Sequence, residues 1–579
     1  MSRISELRIV AYQNGRNVNK TIERDFLIRK AVLENPVPYA HNIRRGEIDR
    51  TIFENYSIEI DHRELLVGRF SNLRQLNEEE QSIYEKGDET LRFMGDLGGV
   101  KNAFTGHRVI DYEKLLSVGI KGVLEEIENH LSKITYQDPE AAGKKAFYTA
   151  SKISLEGVCN FAKRYEEVLL DLYEKEEDSV RKEEYQMMAN NFHRAPYLPC
   201  THFYEALQCM WFMQFCLCLI DDISLTGRID NYLYPYYKKD IESGYITEEF
   251  AFELIESLYL KHNEIYDAWP AALMLGGVDR NNQPVWNELT YMCIDAIETT
   301  GLVNPAVSVC YTEDMPDDLL QKCIDKIAKG YTRPALFNDK IVQEGLRLAG
   351  VSVEDSRYYV HSTCVEITPI ASSNILVATP YINLNKAVEY ILNGKKAMFG
   401  DPCGIENDIP FSLSELTSFD KFYQLVKDVI SEIIRTNLVK TCDFAYHRAN
   451  YSSSPLSSAF LNDCLNLGKD SGAGGAKYNF VYPCFPGFLN LVDSLQAIKT
   501  AVYDERVLSL KGIATLCHNN FAGEERWRKF LMNRCDKFGN GKETVDALGK
   551  NLYDFLRAEL EKYEISIGGK FYSSYFAWI

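Results

Sequence analysis

Hydrophobic and polar positions alternate along this chain with two different periods. Residues 111–134, DYEKLLSVGIKGVLEEIENHLSKI, repeat Leu and Ile at helical spacing with charges on the opposite side, which predicts an amphipathic helix. Residues 146–176 predict a second. Residues 203–220 are apolar nearly all round and predict a helix buried on every side. Their core, CMWFMQFCLCLI at 209–220, is too short to cross a bilayer, and the chain has no run of eighteen apolar residues. Short β-prone runs fall between the helices: AALMLGG at 271–277, AVSVCY at 306–311, YYVHSTCVEI at 358–367 and YNFVYP at 478–483. Strands alternating with helices at such intervals predict an α/β architecture built on a central sheet or barrel. With no internal repeat, low-complexity tract or Ser/Gly/Pro linker, the pattern marks no domain boundary.

Composition narrows the function. The 579 residues carry a net charge of −19, which argues against a broad basic surface for nucleic acid and favours a small-molecule substrate. The first residues lack the long apolar stretch of a secretory leader, so the expected compartment is the cytoplasm, away from any membrane. The fifteen cysteines are odd in number and contain no C-x-x-C spacing. A disulfide framework, a zinc site and an iron–sulfur cluster are therefore all unexpected, and a reducing, anaerobic cytoplasm suits the thiols.

The segment from Val360 to Glu366 carries the most chemistry. If it is extended, Cys364 and Glu366 face one space and Val365 faces away. A thiol beside a carboxylate is what radical elimination from an alcohol or amine requires. A thiyl radical can remove hydrogen from an activated C–H bond, because the two bonds are similar in strength. The carbon radical acidifies the neighbouring hydroxyl, and a carboxylate in hydrogen-bond reach takes that proton as a leaving group departs. Alone, Cys-x-Glu is a weak signal, since fifteen cysteines and 83 acidic residues produce it by chance. The glycine cluster at residues 472–475 lacks the Gly-Lys-Ser/Thr ending of a phosphate loop and precedes a β-prone run, so it predicts a tight turn.

Context strengthens the Cys-x-Glu signal. The stretch resembles the cysteine finger loop of glycyl radical enzymes of the pyruvate formate-lyase family, with Thr363 where the family usually has glycine. Further similarities follow in family order: Gly106-His107 with Asp111-Tyr112-Glu113-Lys114, TGRIDNYLYPYY at 226–237, LMLGGVDRN at 273–281, NPAVSV at 304–309, PALFND at 334–339, YINLNKAVE at 381–389, GAGGAKYNF at 472–480 and VDSLQAIK at 492–499. The resemblance implies one pyruvate formate-lyase-type domain over 1–579. Its fold would be a β/α barrel of two antiparallel half-barrels surrounded by helices, incomplete at the C-terminus, with the finger loop at about 358–370. It implies Cys364 as the thiyl site and Glu366 as the base, with His107, Asp221, Asp222 and Tyr381 facing the substrate. Pyruvate formate-lyase itself uses two adjacent cysteines and the benzylsuccinate-synthase type lacks the glutamate. Cys-Val-Glu is the form of the dehydratase-like members, so the implied activity is radical carbon–heteroatom cleavage of a small polar substrate. Arylacetate-type decarboxylation, formate acetyltransferase-like activity and a truncated or non-catalytic subunit are the alternatives.

The resemblance also implies something absent. Relatives carry an Arg-Val-x-Gly-Tyr motif whose glycine stores the radical, and these 579 residues contain none. Gly568-Gly569 lacks the flanking Arg and Tyr and matches an earlier barrel segment. The expectation is a chain that binds no cofactor or metal directly. Its glycyl radical would come from a complementary subunit, installed by an activating enzyme that uses S-adenosylmethionine; a homo-oligomer is compatible with this. A truncated gene or a catalytically dead relative would lack the motif too.

Overall fold

The computed structural model describes residues 2–17, 21–35, 40–70, 75–96, 107–220, 225–265, 271–362, 365–396 and 404–575. They fall into two compact units, one of residues 1–375 and 447–479, the other of residues 376–446 and 480–579.

The first unit is built around the apolar helix Phe203–Leu219, all 17 residues of which are buried. Aromatic rings from neighbouring helices close on it: Phe212 lies 5.5 Å from Phe161, 5.3 Å from Tyr165 and 5.0 Å from Phe192. Phe161 and Tyr165 come from the long helix Ala141–Lys175, and Phe192 from Ser179–Arg194. The helix Tyr112–Ser132 starts at Asp111, whose carboxylate accepts the Lys114 N–H. Its periodicity predicts one continuous helix, but Gly119 interrupts it at φ 66°. There the N–H groups of Ile120 and Lys121 turn to the carbonyls of Pro196 and Tyr197, and a Cβ at Gly119 would sit 2.4 Å from the Tyr197 oxygen. Only glycine fits that approach.

A parallel sheet lies in the same unit, in the order β1 (Ala272–Gly276), β2 (Ala306–Tyr311), β3 (Ala335–Asn338). Leu273 pairs with Val307, and Val309 with Leu336. Every residue of β1 is buried, as expected of a parallel strand covered on both faces. Residues 358–367, which alternation predicts as one extended run, instead fold back on themselves. Here β4 (Tyr359–His361) and β5 (Ile367–Pro369) form an antiparallel hairpin, with Tyr359 opposite Pro369 and His361 opposite Ile367. The reversal is local: Val365 adopts φ 65°, which no strand residue can hold.

The remaining strands are β6 (Ser373–Tyr381), β7 (Tyr478–Cys484) and β8 (Lys570–Phe571), ordered β6–β7–β8. β7 and β8 are parallel, with Val481 beside Phe571. The second unit has its own core, in which Phe422, Val426, Val429 and Ile433 of the helix Phe419–Tyr451 pack with Leu491, Leu495, Leu552 and Leu556. The residue 472–475 glycine cluster is a short 3-10 turn ahead of β7. Among the described residues no helix is long and apolar enough to cross a membrane.

Candidate active site

The β4–β5 hairpin carries the sequence-predicted chemistry. Cys364 lies outside the described residues, as do Thr363, Asp221 and Asp222. Glu366 is described in detail. Across the turn, the Ser362 N–H donates to the Glu366 carbonyl at 2.6 Å and the Val365 N–H donates to the Ser362 carbonyl at 3.1 Å. The left-handed Val365 is 50% exposed, whereas Glu366 is only 6% exposed. The turn therefore sends adjacent side chains to opposite environments and drives a carboxylate inward.

What meets that carboxylate is sparse. The Ser362 hydroxyl donates to Oε2, and Oε1 is buried with no hydrogen-bond partner among the described residues. Burial raises the carboxyl to about 7 against the weaker pull of the Ser362 hydroxyl. A proton acceptor matched to neutral pH is what general-base chemistry needs.

The neighbouring His361 is locked. Its Nδ1 lies 2.6 Å from the Ser362 carbonyl, which can only accept, so the proton sits on Nδ1. Nε2 then accepts from the Ser308 hydroxyl at 2.7 Å, and the ring stacks on Phe337 with centroids 5.2 Å apart. Burial pushes the imidazole down to about 4, so it is neutral at pH 7. The other flank is held by Arg228, fully buried, whose Nε donates to the Tyr359 carbonyl at 2.9 Å, Nη1 to the Val278 carbonyl at 2.9 Å and Nη2 to Cys310 Sγ at 3.1 Å. One guanidinium thus ties β4 to the end of β1 and to β2. Two residues on, Asp230 accepts from the Gly276 N–H at 2.7 Å and the Thr290 hydroxyl at 2.8 Å, and burial pushes it up to about 6.

Backbone bonds gather other predicted segments around the hairpin. The Val109 carbonyl accepts from the Ala371 N–H at 3.0 Å, just beyond β5, and the Arg108 carbonyl from the Leu225 N–H at 2.9 Å. The chain at His107, the chain at Leu225 and the finger hairpin therefore converge in the first unit. His107 itself is half-buried at φ 87°. Tyr381 belongs to the second unit, where it ends β6 at 45% exposure. A cavity of about 490 Å³ in the first unit is lined by Asn191, Arg194, His202, Tyr204 and Tyr245 among others, none of them a predicted site residue.

Ser308, His361 and Ser362 were not among the predicted site residues. Ser308 leaves a trace in the sequence, the one serine in the apolar run AVSVCY. His361 and Ser362 sit inside the finger segment, but nothing in the order of residues reveals that their polar atoms point along the hairpin.

An α/β protein with a buried carboxylate on a cysteine-bearing hairpin is the class these features define. The chain belongs to the Pyruvate formate lyase-like family, whose model matches residues 74–579. It is 32% identical over 495 residues to the (2S)-3-sulfopropanediol dehydratase of Klebsiella oxytoca, a match covering 81% of this chain and 59% of that protein. It is 26% identical over 486 residues to the trans-4-hydroxy-L-proline dehydratase of Clostridioides difficile, covering 80% and 61%. The crystal structure of a glycyl radical enzyme from Archaeoglobus fulgidus superimposes with a TM-score of 0.87 at 27% identity, over 99% of this chain and 81% of that one. The expected fold is thus the glycyl radical enzyme fold. The chain spans about three-fifths of the length of these curated relatives, 59% and 61%.

Proposed function

We propose that this chain is the thiol- and base-bearing part of a glycyl radical enzyme that cleaves a carbon–heteroatom bond in a small polar substrate. The observation that carries the reading is Glu366, a buried carboxyl raised to about 7 with one oxygen unpartnered among the described residues, two positions after Cys364. The stored glycyl radical would take the hydrogen atom of the Cys364 S–H, forming a C–H bond at the glycine and leaving the unpaired electron on sulfur. Cys364 Sγ then takes a hydrogen atom from the substrate carbon bearing the hydroxyl, forming S–H and leaving a carbon radical. Glu366 takes the hydroxyl proton as the C–O radical anion expels the leaving group from the adjacent carbon with its bonding pair. Water or an amine can leave carrying the proton that Glu366 received. The product radical recovers its hydrogen from the Cys364 S–H.

Names of the relatives support the substrate class, because a sulfopropanediol and a hydroxyproline are both small, polar and hydroxylated. His107, Asp221, Asp222 and Tyr381 are proposed as contacts to the polar groups of such a substrate. Substituting any of them should raise KM by more than it lowers kcat. These 579 residues contain no Arg-Val-x-Gly-Tyr motif, so the radical glycine is proposed to lie outside them and to be generated by an activating enzyme.

The test is anaerobic turnover in deuterated water with the radical-bearing segment and its activase present. Cys364→Ser should abolish both product formation and deuterium exchange at the substrate carbon. Glu366→Gln should lose about a hundred- to ten-thousand-fold in turnover but continue to exchange. Exchange by Cys364→Ser would sink the assignment of hydrogen abstraction. Release of carbon dioxide in place of water, amine or sulfite would establish the decarboxylase reading instead.

A further inference from the structure

The finger hairpin contains a directed chain of three hydrogen bonds. Ser308 Oγ–H donates to His361 Nε2 at 2.7 Å, His361 Nδ1–H donates to the Ser362 carbonyl at 2.6 Å, and Ser362 Oγ–H donates to Glu366 Oε2. The middle link sets the polarity of the whole, because a carbonyl cannot donate. With the proton of the neutral imidazole on Nδ1, Nε2 must accept, and Ser308 must donate. Ser362 is held at further points: its N–H donates to the Glu366 carbonyl at 2.6 Å and its carbonyl also accepts the Val365 N–H at 3.1 Å. Its hydroxyl is therefore aimed by the turn rather than free to search. All three residues are buried, at 1% exposure for Ser308, 3% for His361 and 0% for Ser362. A network this enclosed has no solvent to substitute for a lost link.

The two oxygens of Glu366 are consequently unequal. Oε2 is engaged by a hydroxyl donor, while Oε1 is buried and lacks a partner among the described residues. A buried acceptor left without a donor is costly, and in a site it marks the atom awaiting a ligand's proton. We propose that Ser362 is the positioning residue of Glu366: its hydroxyl ties down Oε2 and leaves Oε1 as the oxygen that takes the substrate's proton, with Ser308 and His361 holding Ser362 in place. This rests on the reading of Glu366 as the base.

The same hydrogen bond tunes the base. Among the described residues, the titratable and charged groups on the hairpin and packed against it are Tyr358, Tyr359, His361, Arg228 and Cys310, with Arg280 and Glu113 against Tyr358. His361 is neutral, and Arg228 is turned onto the Tyr359 carbonyl and Cys310. None of these acts on Glu366, whose proton affinity is set by burial, by the Ser362 hydroxyl and by its own N–H. Removing the hydroxyl removes the side-chain donor that favours the carboxylate.

Two readouts test this. In the activated complex, Ser362→Ala should move the acid limb of the kcat/KM profile up by about one pH unit while leaving the high-pH plateau within several-fold of wild type. Ser362→Thr, which keeps the hydroxyl, should leave the limb where it is, and Ser308→Ala should move it in the same direction by less. In the unactivated chain, the infrared carboxyl band lost in Glu366→Gln should titrate with the same displacement in Ser362→Ala. A purely structural role would lower activity equally at every pH and leave the infrared titration unmoved, which would overturn the proposal. So would a displacement in Ser362→Thr as large as in Ser362→Ala. If Glu366→Gln retains the acid limb, the base assignment fails, while the infrared titration still reports separately on Ser362.

Discussion

Asp355 and Glu366 sit on either side of β4, both in the first unit and each 6% exposed, yet their carboxyls move in opposite directions. Burial pushes Asp355 up, but Lys477 at 2.6 Å, the Tyr478 hydroxyl at 2.8 Å and the Ser352 hydroxyl at 3.0 Å outweigh it, and Asp355 is held below its ordinary value. Arg280 adds a further contact at 3.2 Å. Among the described residues Glu366 receives one hydroxyl on one oxygen and no cation, and burial pushes it up to about 7. At the same surface exposure, unequal partners separate a structural anion from a candidate base. The number and charge of donors, set against burial, decide which role a buried acid takes.

The comparison breaks most visibly in stability. At pH 8, Glu366→Gln should stabilise the fold by about 1–3 kcal/mol, because it removes a buried charge that has no cation among the described residues. Asp355→Asn should destabilise it by about 1–2 kcal/mol, a figure kept small because Lys477 and Arg280 are about a third exposed and screened by solvent. Denaturant titrations of the two variants should therefore move the midpoint in opposite directions. A shift of the same sign in both would undo the distinction.

The pH dependence of unfolding should separate the two acids next. Glu366 has its folded value raised from 4.5 to about 7, so between those values the folded chain holds a proton that the unfolded chain has released. Its contribution to stability is present at low pH and is lost as pH rises through about 7. Asp355 behaves inversely, contributing above its ordinary 3.8 and losing that contribution as pH falls below it. Denaturation midpoints of wild type and Glu366→Gln should diverge as pH rises from 4.5 to about 7 and run parallel above that. Curves parallel throughout would mean Glu366 titrates where an ordinary glutamate does.

The smallest expected effect sharpens the Asp355 side. Lys477→Met removes the closest cation but leaves Arg280, Tyr478 and Ser352 in contact with the carboxylate. Stability at neutral pH should fall by about 0.5–1 kcal/mol, and the low-pH loss should begin at a higher pH than in wild type. A loss as large as that of Asp355→Asn would mean the lysine alone holds the charge.

Local pattern was enough for much of this molecule. The apolar run at 203–220 became the helix Phe203–Leu219, and AVSVCY became β2 residue for residue, because helical and strand periodicities are properties of neighbours in the chain. Motif order also carried the family assignment, which the match over residues 74–579 supports. Tertiary structure decided the rest. Alternation predicted one strand at 358–367, and a left-handed Val365 made it a hairpin, since a β-branched residue carries no propensity for that conformation and only the surrounding packing can impose it. The fates of Asp355 and Glu366 were equally illegible. Lys477 lies 122 positions from Asp355 and Arg280 lies 75 positions away, while Ser308 reaches His361 across 53. A carboxylate's proton affinity is set by the donors folded against it and by the water excluded around it. Neither is a property of its neighbours in sequence, so Cys-x-Glu named a candidate base without revealing what tunes it.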